Sequence, residues 1–121
     1  MSDYVPIYNA AGQVEIWLYE DRLLALNGQG IGFLHHGHVY DYNGVHRGCL
    51  INGVLRDHRG AVVGFVPAAT GLMPLRPLLG LRPLPPMRAL EPLRPLRSRP
   101  PLAPLDRLAW SEMSPLTLFD I

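Results

Sequence analysis

Residues 39–48 read Val39-Tyr40-Asp41-Tyr42-Asn43-Gly44-Val45-His46-Arg47-Gly48 and carry the pattern of a β-hairpin. The short strand Val39-Tyr40-Asp41-Tyr42 runs into Asn43-Gly44, a pair that is typical of tight hairpin turns. Glycine suits such a turn because it adopts a positive φ at little cost. A second strand follows the turn. We therefore predict a two-stranded antiparallel unit with a two-residue turn at Asn43-Gly44.

The same hairpin pattern occurs four times, with a constant spacing of 16 residues and no insertion. The turn glycines of the four copies are Gly12, Gly28, Gly44 and Gly60. The equivalent positions that follow each glycine in the sequence form the columns Ile16/Gly32/Gly48/Gly64, Trp17/Phe33/Cys49/Phe65 and Leu18/Leu34/Leu50/Val66. An apolar column that precedes the glycines is Ile7/Leu23/Val39/Leu55. A single short hairpin cannot bury its own face, so the four units must share one core. We predict an all-β domain of eight short antiparallel strands over residues 4–66, in a pseudo-four-fold closed arrangement. Glycine in the 32/48/64 column is expected where such a ring is crowded near its axis.

Several of these motifs resemble a known family. Tyr-Asp-Tyr-Asn-Gly-Val-His-Arg-Gly at 40–48, Arg-Asp-His-Arg-Gly at 56–60 and Gly64-Phe65 are similar to the four-fold β-flower domain of bacterial proteins. The resemblance covers residues 1–67 and implies a fold, without implying a known reaction. The tyrosine-aspartate repeats of large secreted toxins look locally similar, but those repeats are longer and run in many copies, so they rank second.

The second half of the chain changes to a period of three residues. An apolar edge, here called the apolar stripe, comprises Leu75, Leu78, Leu81, Leu84, Met87, Leu90, Leu93, Leu96, Leu102, Leu105 and Leu108. A second edge is mostly proline, and a third carries Arg76, Arg82, Arg88, Arg94 and Arg97. Three residues per turn is the period of polyproline II, and proline excludes a long α-helix. We predict an extended polyproline-II-like segment over residues 68–108, which is not assigned to a family.

The length of this segment bears on its function. A straight polyproline II rod over its 37 periodic residues would be about 115 Å long, whereas a 70-residue domain is only about 30 Å across. A straight rod could not hide the apolar stripe against its own domain, and we predict self-association into a homo-oligomer or filament through the stripe. Two alternatives stay open, namely a rod bent back onto the sheet and a flexible proline-rich linker.

The arginine edge and the C-terminus suggest further partners. The arginines would bind an anionic polymer such as nucleic acid weakly and without sequence choice, because no aromatic residues are interleaved with them. The tail, residues 109–121, is apolar with an acidic tip, and Ser114-Pro115 is a typical start for a short helix or turn. It is interpreted either as packing onto the protein's own core or as a docking peptide for a protein partner. The residues concerned are Trp110, Leu116, Leu118, Phe119 and Ile121.

Residues with catalytic or metal-binding chemistry are few. His35, His36 and His38 lie in one turn and could hold a metal ion, although a polar surface turn is the simpler interpretation. Asp41 and Asp57 share a repeat column and are interpreted as turn-flanking residues that bind backbone amides. Cys49 occupies an aromatic column and is expected to be a small core residue. Because Ser, Thr and Lys are absent between Asp3 and Ala69, we predict no catalytic residue and no cofactor; a metal-dependent enzyme using the clustered histidines is a minor alternative.

The bulk composition fits one small domain followed by an extended segment and a tail. The chain has 121 residues, 12 Gly, 13 Pro, one Cys and a net charge of +1, and every basic residue is Arg. No long apolar run predicts a membrane span, and the N-terminus lacks the pattern of a signal peptide, so we expect a cytoplasmic protein with no membrane contact. The expected organisation is a β-flower domain at 1–67, the extended segment at 68–108 and the tail at 109–121. Together these features predict a non-enzymatic structural or interaction protein, with a ligand-binding or anionic-polymer-binding module as the alternative.

Overall fold

A computed structural model describes residues 3–121, and the first half of the chain is a closed barrel of eight antiparallel strands. Each strand pairs with the next one along the chain, and β8 pairs with β1 through Tyr8 and Phe65. The prediction of an all-β fold built from four hairpins in a closed arrangement is confirmed. Residues 1 and 2, at the start of the predicted 1–67 domain, lie outside the described residues. The strands are β1 Tyr4–Tyr8, β2 Val14–Tyr19, β3 Arg22–Ala25, β4 Gly30–His35, β5 His38–Tyr40, β6 His46–Ile51, β7 Val54–Arg56 and β8 Val62–Phe65.

The turns at the two ends of the barrel differ. At Asn43-Gly44 the turn is longer than the predicted two residues: the Asp41 N–H donates to the Val45 carbonyl at 3.0 Å, and the Gly44 N–H donates to the Asp41 carbonyl at 3.1 Å. The longer turn forms because the Asp41 side chain binds the amides inside it. Gly44 does have the predicted positive φ, 82°. Two-residue turns lie at the opposite end instead, where both residues of His36-Gly37 and of Asn52-Gly53 have positive φ.

Each hairpin carries a β-bulge that the sequence analysis did not anticipate. Val39 is opposite Gly48 and Tyr40 is opposite His46, so Arg47 is an extra residue in β6. The same shift recurs between β1 and β2, β3 and β4, and β7 and β8. At the bulge the neighbouring backbones come close: a Cβ on Gly48 would lie 2.2 Å from the Arg56 carbonyl oxygen. This close approach is the physical reason for glycine in the 32/48/64 column.

The predicted apolar column forms the inside of the barrel. Ile7, Leu23, Val39 and Leu55 are fully buried, and burying each such side chain contributes about 1.5–3 kcal/mol. Successive residues of a strand point to opposite faces, so the Trp17/Phe33/Cys49/Phe65 column lies on the outside of the barrel. The C-terminal half of the chain covers this outer face.

The extended segment wraps around the barrel. We call residues 74–107 the belt. It passes the four turn glycines in chain order, and at each turn a belt N–H donates to the glycine carbonyl. Successive anchors are nine residues apart, which is three turns of a polyproline II helix, so the same edge of the belt meets every turn. The straight rod is therefore wrong, and the alternative of a segment bent back onto the sheet describes the path of the chain. The anchoring hydrogen bonds are Gly80 to Gly12 (2.8 Å), Ala89 to Gly28 (3.1 Å), Ser98 to Gly44 (2.8 Å) and Arg107 to Gly60 (3.1 Å).

The tail returns to the barrel. Trp110 forms a parallel bridge with Val62, and a short 3₁₀ helix, Thr117–Phe119, follows. The Phe119 ring lies against Gly32, where a Cβ would be only 2.6 Å from a ring carbon. The glycine column therefore also makes room for the tail.

Candidate functional site

The apolar stripe is the most exposed apolar surface of the described chain. Its members from Leu75 to Leu105 are each 89–97% exposed, and Leu108 is 64% exposed. The belt turns its proline edge to the barrel instead: Pro77, Pro86, Pro95 and Pro104 each lie beside a turn glycine. Wrapping therefore brings the segment against its own domain without burying the stripe.

The arginine edge is divided between structural and free residues. The Arg76 guanidinium donates to the carbonyl oxygens of Pro67 and Ala69 and lies over the Phe65 ring. Arg88 lies 4.1 Å from the centre of the Tyr19 ring, a cation–π contact that fastens the belt to β2. Arg82 and Arg97 are exposed and make no hydrogen bond or ion pair with the rest of residues 3–121.

Arg94 connects the belt to the barrel through a two-pronged ion pair with Asp21. Its guanidinium donates two hydrogen bonds to the Asp21 carboxylate at 2.8 and 2.9 Å, and a third to Glu91 at 2.9 Å. It also lies 5.0 Å from the centre of the Phe33 ring. The hydrogen bonds from Arg94 hold the pKa of Asp21 below its usual value. Three of the five arginines predicted to meet an anionic partner thus hold the belt in place.

A buried arginine joins the two ends of the belt. Arg56 is 7% exposed and donates to the carbonyl oxygens of Leu72, before the belt, and of Arg107, at its end. Its Nε lies 3.2 Å from the Asp106 carboxylate. Sequence reasoning missed this role, although Arg56 departs from an otherwise uncharged repeat column, Tyr8/Leu24/Tyr40.

The predicted docking residues of the tail pack against the protein itself. Leu118 and Phe119 are buried, and Trp110 and Leu116 pack against the barrel core. Ile121 is 62% exposed. In this conformation most of the apolar tail is covered, so docking to a partner would require the tail to leave the barrel.

The structure assembles histidines other than the predicted set. His35 and His36 contact each other edge to face in a surface turn, while His38 lies beside β6, the partner strand of its own hairpin. His38 Nδ1 lies 2.9 Å from His46 Nε2 and 3.6 Å from Cys49 Sγ. His46 Nδ1 in turn lies 2.9 Å from His58 Nε2. We call His38, His46, Cys49 and His58 the histidine–cysteine cluster.

Within the cluster His46 is buried, His38 and Cys49 are half-buried, and His58 is exposed. His46 is 7% exposed, and burial, together with the nearby His58 and His38 rings, lowers its pKa to about 4. Burial, with a smaller effect of the Asp106 carboxylate, raises the pKa of the Cys49 thiol. At neutral pH His46 is an uncharged imidazole and Cys49 is a thiol.

The β-bulge explains why the cluster was missed. Residues 46 and 49 of a regular strand would point to opposite faces, but the extra residue at Arg47 brings them to the same side. Cys49 is also directly opposite His38 in the ladder. The repeat columns did contain a signal for the cluster, because the third repeat has His or Cys where the other repeats have neither. The corresponding residues of the other repeats are Pro6, Arg22 and Val54 for His38, Val14, Gly30 and Val62 for His46, and Trp17, Phe33 and Phe65 for Cys49.

The repeated aspartates have the role that the sequence predicts. Asp41 Oδ1 accepts hydrogen bonds from the N–H groups of Asn43 and Val45. Asp57 Oδ1 accepts from Arg59 and Ala61 in the same way. These contacts fix the shape of the turns that the belt meets.

Comparison with protein families now identifies the architecture. The family model described as "4-fold beta flower protein" matches residues 5–119. The chain belongs to the 4-fold beta flower family. The match extends far beyond residues 1–67, on which the resemblance rested, and takes in the belt and most of the tail. Comparisons with curated proteins and with solved structures gave no match. None of the helices that residues 3–121 form is both long enough and apolar enough to cross a membrane.

Proposed function

We propose that this β-flower protein is a non-enzymatic structural or interaction module whose apolar stripe joins copies of the chain into an oligomer or filament. The observation that supports the proposal most strongly is the exposure of the stripe. Ten large apolar side chains at 89–97% exposure lie along one belt. Monomeric proteins rarely expose contiguous apolar patches of more than a few hundred Å².

The stripe is large enough for a stable interface. Burying one such side chain contributes about 1.5–3 kcal/mol at about 25 cal/mol per Å², which corresponds to about 60–120 Å² for each. Ten side chains therefore offer about 600–1,200 Å² of apolar surface. A standard protein–protein interface buries about 800 Å² on each partner.

The geometry of the belt favours a second copy as the occupant. Because the anchors repeat every nine residues, the stripe presents a similar pattern at each of the four turns, and two such belts can match each other. Pairing belt to belt closes a dimer, whereas an offset contact that does not close extends into a filament.

Sedimentation velocity on full-length variants tests the proposal. The stripe variant carries Leu81→Gln, Leu84→Gln, Leu90→Gln and Leu93→Gln, and the control variant carries Leu26→Gln, Val45→Gln and Ile51→Gln. The control residues are exposed apolar side chains of the barrel. We expect the wild type and the control to sediment as multimers and the stripe variant as a monomer. Multimers that persist in the stripe variant would contradict the proposal.

A second candidate function, binding of an anionic polymer, is supported by Arg82 and Arg97. Both guanidinium groups are exposed and unpaired within residues 3–121, and phosphate contacts of this kind weaken with added salt. A gel shift with DNA at about 50 mM salt tests it, with Arg82→Gln/Arg97→Gln as the matched variant. A shift that the variant loses supports this function, and no shift at low salt eliminates it.

A further inference from the structure

The histidine–cysteine cluster has the arrangement of a transition-metal site. The ligand atoms of His38, His46 and Cys49 all lie within 4.8 Å of one another. A tetrahedral zinc ion, with Zn–N of about 2.0 Å and Zn–S of about 2.3 Å, separates neighbouring ligand atoms by about 3.3–3.6 Å. The Nδ1–Sγ distance of 3.6 Å already fits, and the two ring nitrogens, 2.9 Å apart, need to separate by only a few tenths of an ångström.

His58 supplies the outer support that metal-bound histidines commonly have. For His46 to coordinate through Nε2, its Nδ1 must carry the proton, and His58 Nε2 lies 2.9 Å away as the acceptor. Such a partner fixes the tautomer and the orientation of the ligating ring.

Around Cys49 the third repeat also differs from the second and fourth repeats. In the second and fourth repeats a belt arginine covers the aromatic residue of this column, in the pairs Phe33–Arg94 and Phe65–Arg76. Nine residues after Arg94 the belt has Ala103, beside Cys49 rather than an aromatic ring. The two small residues line a cavity of about 110 Å³, which gives the thiol access to solvent.

From these three observations we infer that His38, His46 and Cys49 form a Zn²⁺ site, with His58 as a positioning residue. Two imidazoles and a thiolate suit a borderline-soft ion such as Zn²⁺ better than the hard cations Mg²⁺ or Ca²⁺. On binding, the Cys49 thiol releases its proton to solvent as the Zn–S bond forms, and water supplies the fourth ligand of the tetrahedron.

Titration of the full-length, chelator-treated protein with Co²⁺ tests the site. We expect one ion per chain, with the thiolate-to-cobalt charge-transfer band and the visible bands of tetrahedral Co²⁺, and displacement of both by Zn²⁺. Cys49→Ser should abolish the charge-transfer band, and His38→Gln or His46→Gln should weaken binding at least tenfold. The control His35→Gln/His36→Gln should bind as the wild type does.

Variants of His58 separate positioning from folding. His58→Phe should weaken Co²⁺ binding by about 10- to 100-fold, as loss of an outer partner usually does. His58→Gln keeps an acceptor and should restore most of the affinity. Because a buried ligand variant could unfold, Zn²⁺ is also expected to raise the melting temperature of the wild type and not of Cys49→Ser. Absence of the charge-transfer band in the wild type, or affinity that depends on His35 and His36 rather than on Cys49, would overturn the inference.

Discussion

At the scale of single residues, each turn glycine serves the barrel and the belt together. Gly44 has a φ of 82°, and a Cβ there would lie 2.2 Å from the Leu96 carbonyl oxygen of the belt. A side chain at this position is therefore disfavoured for two reasons, namely the positive φ and a steric clash with the belt. The 16-residue column of glycines is explained by both requirements.

The first prediction concerns Gly44→Ala, which should lower the free energy of unfolding by about 2 kcal/mol or more. The positive φ alone costs about 1–2 kcal/mol for a residue with a Cβ, and the belt must also move away. Gly80→Ala is the matched control, because a Cβ there would meet only the Gly12 carbonyl oxygen at 3.3 Å. Urea unfolding measures both variants, and a loss for Gly44→Ala no larger than that for Gly80→Ala would contradict this explanation of the turn glycine.

At the scale of elements, the belt depends on Arg56 to hold its ends. The guanidinium donates to carbonyl oxygens at both ends of the belt and pairs with Asp106. Removing it takes a charged donor away from the carbonyl oxygens of Gly60, Leu72 and Arg107 and from the Asp106 carboxylate, and each charged hydrogen bond contributes about 1.5–3 kcal/mol. Arg56 is therefore the residue on which closure of the belt depends most.

The second prediction is that Arg56→Met destabilises the protein by about 2–4 kcal/mol and opens the belt to protease. Trypsin should cleave after Arg97, which precedes Ser98 rather than proline, much faster than in the wild type. Arg82→Met is the control, since Arg82 makes no hydrogen bond or ion pair within residues 3–121. Cleavage of both variants at the wild-type rate would contradict the role of Arg56 in holding the belt.

The sequence predicts the elements well and their mutual arrangement less well. Two sequence periods, of 16 and of three residues, were enough to predict the eight strands and the apolar stripe. The nine-residue match between the belt and the turns was also present, in Pro77, Pro86, Pro95 and Pro104, but it has meaning only once the turns are known to lie at one end of a barrel. The bulge at Arg47 was not predictable from alternation, and it is what brings His46 and Cys49 together.

At the scale of the whole molecule, the belt hides its proline edge and leaves its apolar edge in solvent. A protein that wraps 34 residues around its own barrel could have buried the leucines instead of the prolines. The opposite orientation results because the anchors use backbone carbonyls and proline rings at each turn glycine. The third prediction therefore concerns self-association: we expect the apolar stripe to be buried in the contacts between copies of the chain.

The most direct test of this central claim is the molar mass of the full-length wild-type protein, measured by light scattering over a range of protein concentrations. We expect at least twice the chain mass of 13.5 kDa, with the mass rising with concentration as stripes pair. A constant mass of one chain over the whole range would contradict it.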